Sequence, residues 1–164
     1  MHVYKLEKQQ FVAQPIELVF SFFSDPYNLD KITPDWLRFR TVEVPREVYR
    51  GCVFVHRLRI RGVPLTWVSQ ILEWDPPKRF VDMQVIGPYK LWHHVHEFEA
   101  ADGGTYIRDL VHYALPLGWL GRLAHALLVR RDLERIFEYR RERLAELLAP
   151  LPSPGEIRQP GLAG

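Results

Sequence analysis

The stretch between Pro116 and Pro150 constrains this chain more than any other. From Leu117 to Leu148 apolar residues recur at helical spacing: Leu120, Leu123 and Leu127, then Leu133, Ile136 and Phe137, then Leu144, Leu147 and Leu148. Arg and Glu fill most positions between them. At 1.5 Å per residue such a helix runs roughly 40–45 Å. No second long helix is available to pack against it. Its apolar stripe must therefore lie across a sheet.

The upstream sequence reads as that sheet. Val3 to Gln14 alternates as a first strand, Pro15 opens a short helix with Ile16, Val19, Phe20 and Phe23 on one face, and Asn28 to Ile32 gives one more turn before Thr33-Pro34. Six strand-like runs follow: Leu37–Val44, Val53–Arg61, Leu65–Trp74, Arg79–Ile86, Lys90–Ala100 and Thr105–Leu115. The breaks between them are short and rich in Gly and Pro, which predicts antiparallel neighbours in a meander. The expected fold is α+β: a curved seven-stranded antiparallel sheet wrapped around the long C-terminal helix, with two short helices between strands 1 and 2. Twisted strands curl around such a helix and enclose space, and enclosed space with aromatic walls takes a small ligand. One domain over residues 1–148 is predicted, followed by a Pro/Gly-rich tail, 149–164, expected to be disordered.

Bulk properties narrow the function. A formal charge of +2 does not demand a nucleic-acid partner. The one dense basic row, Arg57, Arg59 and Arg61, alternates with Phe54, His56, Leu58 and Ile60, so it reads as a solvated strand face with no interleaved aromatics. Cys52 is alone, which excludes a disulfide framework or thiolate cluster. The first residues lack a signal-peptide core and no apolar run reaches membrane-spanning length, so a soluble, cytoplasmic protein is expected.

The pattern Trp92-x-His94-x-His96-x-Phe98 puts four side chains on one strand face. If Asp102-Gly103 form the next turn, Ala101 pairs with Gly104, His96 lies opposite Asp109 and Trp92 opposite Tyr113. A loop centred on Tyr89 would bring Asp82 opposite His96 and Gln84 opposite His94. The expected ladder of Asp82, Gln84, His94, His96, Asp109 and Tyr113 reads first as a device holding register. Its second reading is ligand orientation. Its third is general acid/base catalysis, in which a carboxylate orients an imidazole that moves a proton on a bound ketone or enol; the catalytic candidates are His94, His96, Asp82 and Asp109. This face is expected inward because Phe80, Trp92, Phe98 and Tyr113 share it, although Val81, Met83, Val85, Val95 and Leu110 make the opposite face unusually apolar. A partner subunit could cover that face. Candidate ligand-binding walls are Trp36, Phe54, Trp67, Ile71, Gln84, Trp92, His94, His96 and Tyr113, with Leu120, Leu123 and Leu127 as the lid. No HExxH or cysteine spacing supports a metal, and none is expected. Gly118–Val129, almost uncharged and carrying Trp119 beside Arg122, could touch a membrane transiently.

Several segments are similar to one known superfamily. They are Ala13-Gln14-Pro15-Ile16-Glu17-Leu18-Val19-Phe20 with Asp25-Pro26, Ile71 to Phe80 around Asp75-Pro76-Pro77, Gly87 to Phe98, and Gly103-Gly104-Thr105 followed by Asp109, Val111, Tyr113 and Pro116. With the order of elements, they resemble the START-related, birch-pollen-allergen-like helix-grip superfamily (SRPBCC), in its bacterial ligand-binding or polyketide-cyclase-like branch. The resemblance implies a small hydrophobic or amphipathic ligand such as a lipid, fatty acyl, isoprenoid or polyketide-like compound. It equally allows a cyclase, aromatase or dehydratase working without a cofactor, or an interaction module with a collapsed cavity. A homodimer is compatible with it. Fold alone does not choose among these.

Overall fold

A computed structural model describes residues 1–150 of the chain; the remainder of the Pro/Gly-rich tail lies outside the described residues. Strand β1 (Tyr4–Val12) leads into helices α1 (Ile16–Ser24) and α2 (Asn28–Lys31) and a single 3₁₀ turn, Asp35–Leu37. Six strands follow, β2 (Arg40–Glu43), β3 (Val53–Ile60), β4 (Val63–Asp75), β5 (Arg79–Ile86), β6 (Leu91–Ala101) and β7 (Gly104–Ala114), then helix α3 (Gly118–Ala124), a π-helical turn (His125–Val129) and helix α4 (Arg130–Leu147). The seven strands form one antiparallel sheet in the order β1-β7-β6-β5-β4-β3-β2. This is the helix-grip fold. The second strand is shorter than the sequence suggests, because Leu37 closes the 3₁₀ turn and Arg38 turns the chain at φ 47° before pairing begins.

Register shifts in β4 at Val68/Ser69 and Ile71/Glu73, and in β2 at Thr41/Glu43, bend the sheet around the helix. Both sides of the curve hold the helix. Lys8 on β1 pairs with Glu134, the Gln10 side-chain amide donates to the Arg141 carbonyl at 2.8 Å, and beyond β3 Arg61 pairs with Asp132 at 2.9 Å. Between them lies the core. Phe20 from α1 meets Phe80 and Phe98 edge-on, with Val19, Ile71, Ile107 and Leu144 buried around them, while Leu6, Trp92, Val111, Leu133 and Phe137 form a second cluster.

The C-terminal helix is turned differently from its sequence stripe. Leu120, Leu123 and Leu127, expected as the lid, are 48, 51 and 65 % exposed, whereas Gly121 and His125 are buried. The π turn is the cause. Its wider winding makes the inward line step by four through Gly121, His125, Val129, Leu133 and Phe137. Gly121 lies so close to Leu115 and Pro116 that a Cβ there would collide with the Pro116 carbonyl. Leu133→Ala is therefore expected to cost about 2–5 kcal/mol in urea unfolding, while Leu127→Ala stays within about 0.5 kcal/mol. Equal losses would contradict this orientation.

The inward face of β6 carries Trp92, His94, His96 and Phe98, all buried. Part of the apolar outer face finds its cover within the chain, while Met83 and Leu110 stay half-buried and Val85 is exposed. Val81 and Val95, paired across β5 and β6, are buried beneath a row of ion pairs running Lys5–Glu7–Arg108–Glu97–Arg79–Glu73 at 2.6–3.1 Å. The aliphatic stems of the long side chains shield the valines while their charged ends meet water. No partner subunit is needed for that burial.

Candidate functional site

Between sheet and helix lies a cavity of about 200 Å³. Its wall is mainly apolar. Phe23, Leu29 and Ile32 close one side, Phe54, Leu58, Ile71, Trp67 and Trp92 the sheet side, and Leu133, Ile136 and Phe137 the helix side. Trp67 and Trp92 meet edge to face at 5.3 Å, and the Trp67 indole N–H donates to Ser69 Oγ at 2.9 Å. One end of the cavity is polar, formed by Asp82, His94, His96 and Arg140, with Asp109 buried beside them.

Strand pairing assembles that end. The Asp102-Gly103 turn gives the register expected of it, His96 opposite Asp109 and Trp92 opposite Tyr113. The β5–β6 hairpin differs from expectation by two residues: Asp82 lies opposite His94 and Phe80 opposite His96. The loop centres on Pro88 instead of Tyr89, and the Gln84 side chain pins it, donating to the Tyr89 carbonyl at 2.7 Å and accepting from the Tyr89 N–H at 3.2 Å. A slip of two leaves every side chain on its face. The hydrogen bonds run diagonally across the ladder, with His96 Nε2 2.8 Å from Asp82 Oδ2 and His94 Nε2 2.8 Å from Asp109 Oδ1. The imidazole rings lie 3.7 Å apart, and Phe80 stacks on His96 at 4.0 Å.

The electrostatics separate the two histidines. Burial pushes His94 down to about 4, with His96 adding to the effect against the pull of Asp109, so it is neutral. Burial also opposes a charge on His96, but contacts with Asp109 and Asp82 outweigh it and raise its pKa. Burial alone would raise both carboxyls. Hydrogen bonds from His96 to Asp82 and from His94 to Asp109, with Arg140 nearby, lower Asp82 and hold Asp109 well below the usual carboxylate range. Two carboxylates thus face two imidazoles and one guanidinium.

Arg140 is a feature the sequence pattern hid. It is one of many arginines along the helix, but its side chain is only 11 % exposed, lies 3.7 Å from Asp109, and stacks over Phe137 at 5.0 Å. Its Nε and Nη1 are buried without hydrogen-bond acceptors among the described residues. The signal was present, since Leu133, Ile136, Phe137, Arg140 and Leu144 share one helical stripe that an arginine interrupts. His56 was read only as part of an apolar strand face. It lines the cavity, and burial pushes it down to about 4. Thr41 Oγ1 donates to Asp30 at 2.6 Å and accepts from His56 Nδ1 at 3.1 Å, which leaves the His56 Nε2 lone pair as an acceptor.

The other expected wall residues divide. Phe54, Trp67, Ile71, Trp92, His94 and His96 line the cavity. Trp36 does not; it is 41 % exposed beneath Arg135 of α4. Gln84 is committed to its hairpin, and Tyr113 points to the other end of the helix, bonded to His125 Nε2 at 2.9 Å. Leu120, Leu123 and Leu127 are outside.

Comparison with known proteins places the whole fold. A family model described as polyketide cyclase/dehydrase and lipid transport matches residues 4–149. No curated protein matches the sequence. Among solved structures, protein CV1439 from Chromobacterium violaceum superposes with a TM-score of 0.71 at 14% identity, over 90% of this chain and 98% of that one. Major latex-like protein 151 from Panax ginseng gives 0.67 at 13% identity over 90% and 99%, and Ara h 8.0201 gives 0.63 at 16% over 90% and 98%. At such identities the likeness establishes the fold.

Proposed function

Because the chain belongs to the polyketide cyclase/dehydrase and lipid transport family, within the SRPBCC superfamily, we propose that it binds one compact amphipathic molecule between sheet and helix. The observation that carries this reading is an apolar cavity ending on Arg140, whose Nε and Nη1 lack hydrogen-bond acceptors among the described residues. A buried donor without a partner costs about 1–3 kcal/mol, more when charged, and a ligand carboxylate or enolate oxygen would relieve that cost. The ring or short chain would lie among Trp67, Trp92, Ile71 and Phe137. At about 200 Å³ the cavity is smaller than the roughly 300–1,000 Å³ of ordinary ligand sites, which favours a single-ring or short-chain compound over a full-length lipid.

The same volume favours, as second reading, an interaction module with a collapsed cavity. A cyclase- or dehydratase-type reaction would use His96, held between two carboxylates, to pass a proton to or from a bound carbonyl, with no redox cofactor. Leu117, Trp119, Leu120, Leu123 and Leu127, beside Arg122, form the exposed apolar surface on which a transient membrane contact or a second copy would dock. Among the described residues no helix is long and apolar enough to cross a membrane.

Ile136→Trp tests the binding reading, since Ile136 lines the cavity while remaining partly exposed. Titration with small aromatic carboxylates, followed by Trp67 and Trp92 fluorescence, should saturate in the parent protein and weaken at least tenfold in the variant. Saturation unchanged by Ile136→Trp would move the ligand out of the cavity. No saturation with any probe would leave the interaction module as the better reading.

A further inference from the structure

Asp82, His94 and His96 each offer a ligand atom within 4.8 Å of the others, and all three line the cavity. The second nitrogen of each ring is what distinguishes this group from a register-holding pair. Asp109 Oδ1 stands 2.8 Å from His94 Nε2 and 3.2 Å from His96 Nδ1, the latter off the ideal hydrogen-bond direction. A carboxylate only accepts, so Asp109 takes a hydrogen from His94 Nε2 and fixes that ring's tautomer, whereas His96 places a hydrogen on Nε2, which donates to Asp82. The remaining nitrogens, His94 Nδ1 and His96 Nε2, then face Asp82 Oδ2 from 3.9 and 2.8 Å. Three ligand atoms converge at the cavity wall, two of them free lone pairs and the third, His96 Nε2, holding a hydrogen that an incoming ion would displace. A proton on His96 Nε2 bridges one edge of the triangle and leaves His94 Nδ1 beyond hydrogen-bond reach of Asp82.

We infer that this is a site for a divalent transition-metal ion of the class that takes imidazole and carboxylate ligands, such as zinc, held by Asp82, His94 and His96 with a further coordination position open to the cavity. Bonds of about 2.0–2.2 Å in tetrahedral geometry put ligand atoms about 3.3 Å apart. The 2.8 and 3.9 Å separations bracket that value and all three atoms lie within 4.8 Å of one another, so side-chain adjustments of up to about 1.5 Å close the site. Asp109 serves as the outer carboxylate that orients His94, and stands 3.2 Å from His96 Nδ1. Arg140 balances the charge of Asp109, leaving Asp82 to face the ion. Linear metal motifs miss this arrangement because its ligands come from two neighbouring strands. The site requires no organic ligand, so it stands apart from the binding reading.

Titration of the chelator-stripped full chain with Co²⁺, followed by calorimetry and visible absorption, tests it. One equivalent should bind with ligand-field bands and be displaced by Zn²⁺. Asp82→Asn and His96→Gln should each weaken binding at least tenfold, and Asp109→Asn by about 10–100-fold. His93→Ala should change nothing, because His93 lies on the opposite face, paired with His112. In the parent protein, Zn²⁺ should shift the ¹⁵N resonances of His94 Nδ1 and His96 Nε2, a readout independent of whether any variant folds. Absence of saturable binding, retention in folded Asp82→Asn and His96→Gln, or shifts at His93 and His112 instead would overturn the assignment.

Discussion

Replacing Asp109 by alanine is expected to cost about 3–5 kcal/mol of folding stability, the loss found when one member of a buried ion group is removed and its partners keep their charge. Asp109 is buried, bonded to His94, and 3.2 Å from His96 and 3.7 Å from Arg140. Without it the Arg140 guanidinium and the two imidazoles are left with one carboxylate in an apolar enclosure. Urea unfolding of Asp109→Ala measures the loss. Arg140→Leu in the same chain should recover part of it, so that the double variant is more stable than the sum of the singles implies. A cost below about 1 kcal/mol for Asp109→Ala would mean that the cluster is hydrated and that its charges are not coupled.

Acidification should destabilise the protein well above the carboxylate range. His56 and His94 stay neutral in the folded chain down to about pH 4, whereas an unfolded histidine takes its proton near 6.5. Between those values the unfolded state binds more protons, so stability falls as pH falls, by up to about 1.4 kcal/mol per pH unit for each histidine and about 2.7 for both. Asp82 and Asp109, whose pKa values are lowered, contribute stability that is present above the unfolded carboxyl value of about 3.9 and lost only below it. His96, whose pKa is raised, contributes below about 6.5 and is lost as pH rises through its folded value. The outcome is a maximum near neutrality with a steep acid limb. Unfolding midpoints at pH 7, 6 and 5 should fall in sequence, and His56→Gln should roughly halve the slope. A flat profile from pH 7 to 5 would show that these two rings are already charged or exposed.

What the sequence makes legible follows from how local each determinant is. The β6–β7 register rests on a two-residue turn and strict alternation, so His96 and Asp109 could be paired from the sequence. The β5–β6 register depends on Gln84 reaching around the loop to both backbone groups of Tyr89, a contact that periodicity does not encode. The inward line of the C-terminal helix depends on the π turn at His125–Val129, which breaks the 3.6-residue period and exposes Leu120, Leu123 and Leu127. Arg140 is hidden for a related reason: it is one of many helix arginines, and only its position in the stripe and the carboxylate across from it hold it inside. Val81 and Val95 make the inner face hard to choose from sequence because the covering ion pairs form between five strands, and only the folded sheet brings those side chains together.

Native mass spectrometry of the gently purified protein bears most directly on a compact ligand held between sheet and helix. A small organic adduct should accompany the parent chain, its occupancy falling in Ile136→Trp and in Arg140→Leu, while a divalent metal would appear as a separate increment insensitive to Ile136→Trp. Bare chain alone, together with no uptake of any small carboxylate added before ionisation, would contradict a ligand-binding cavity.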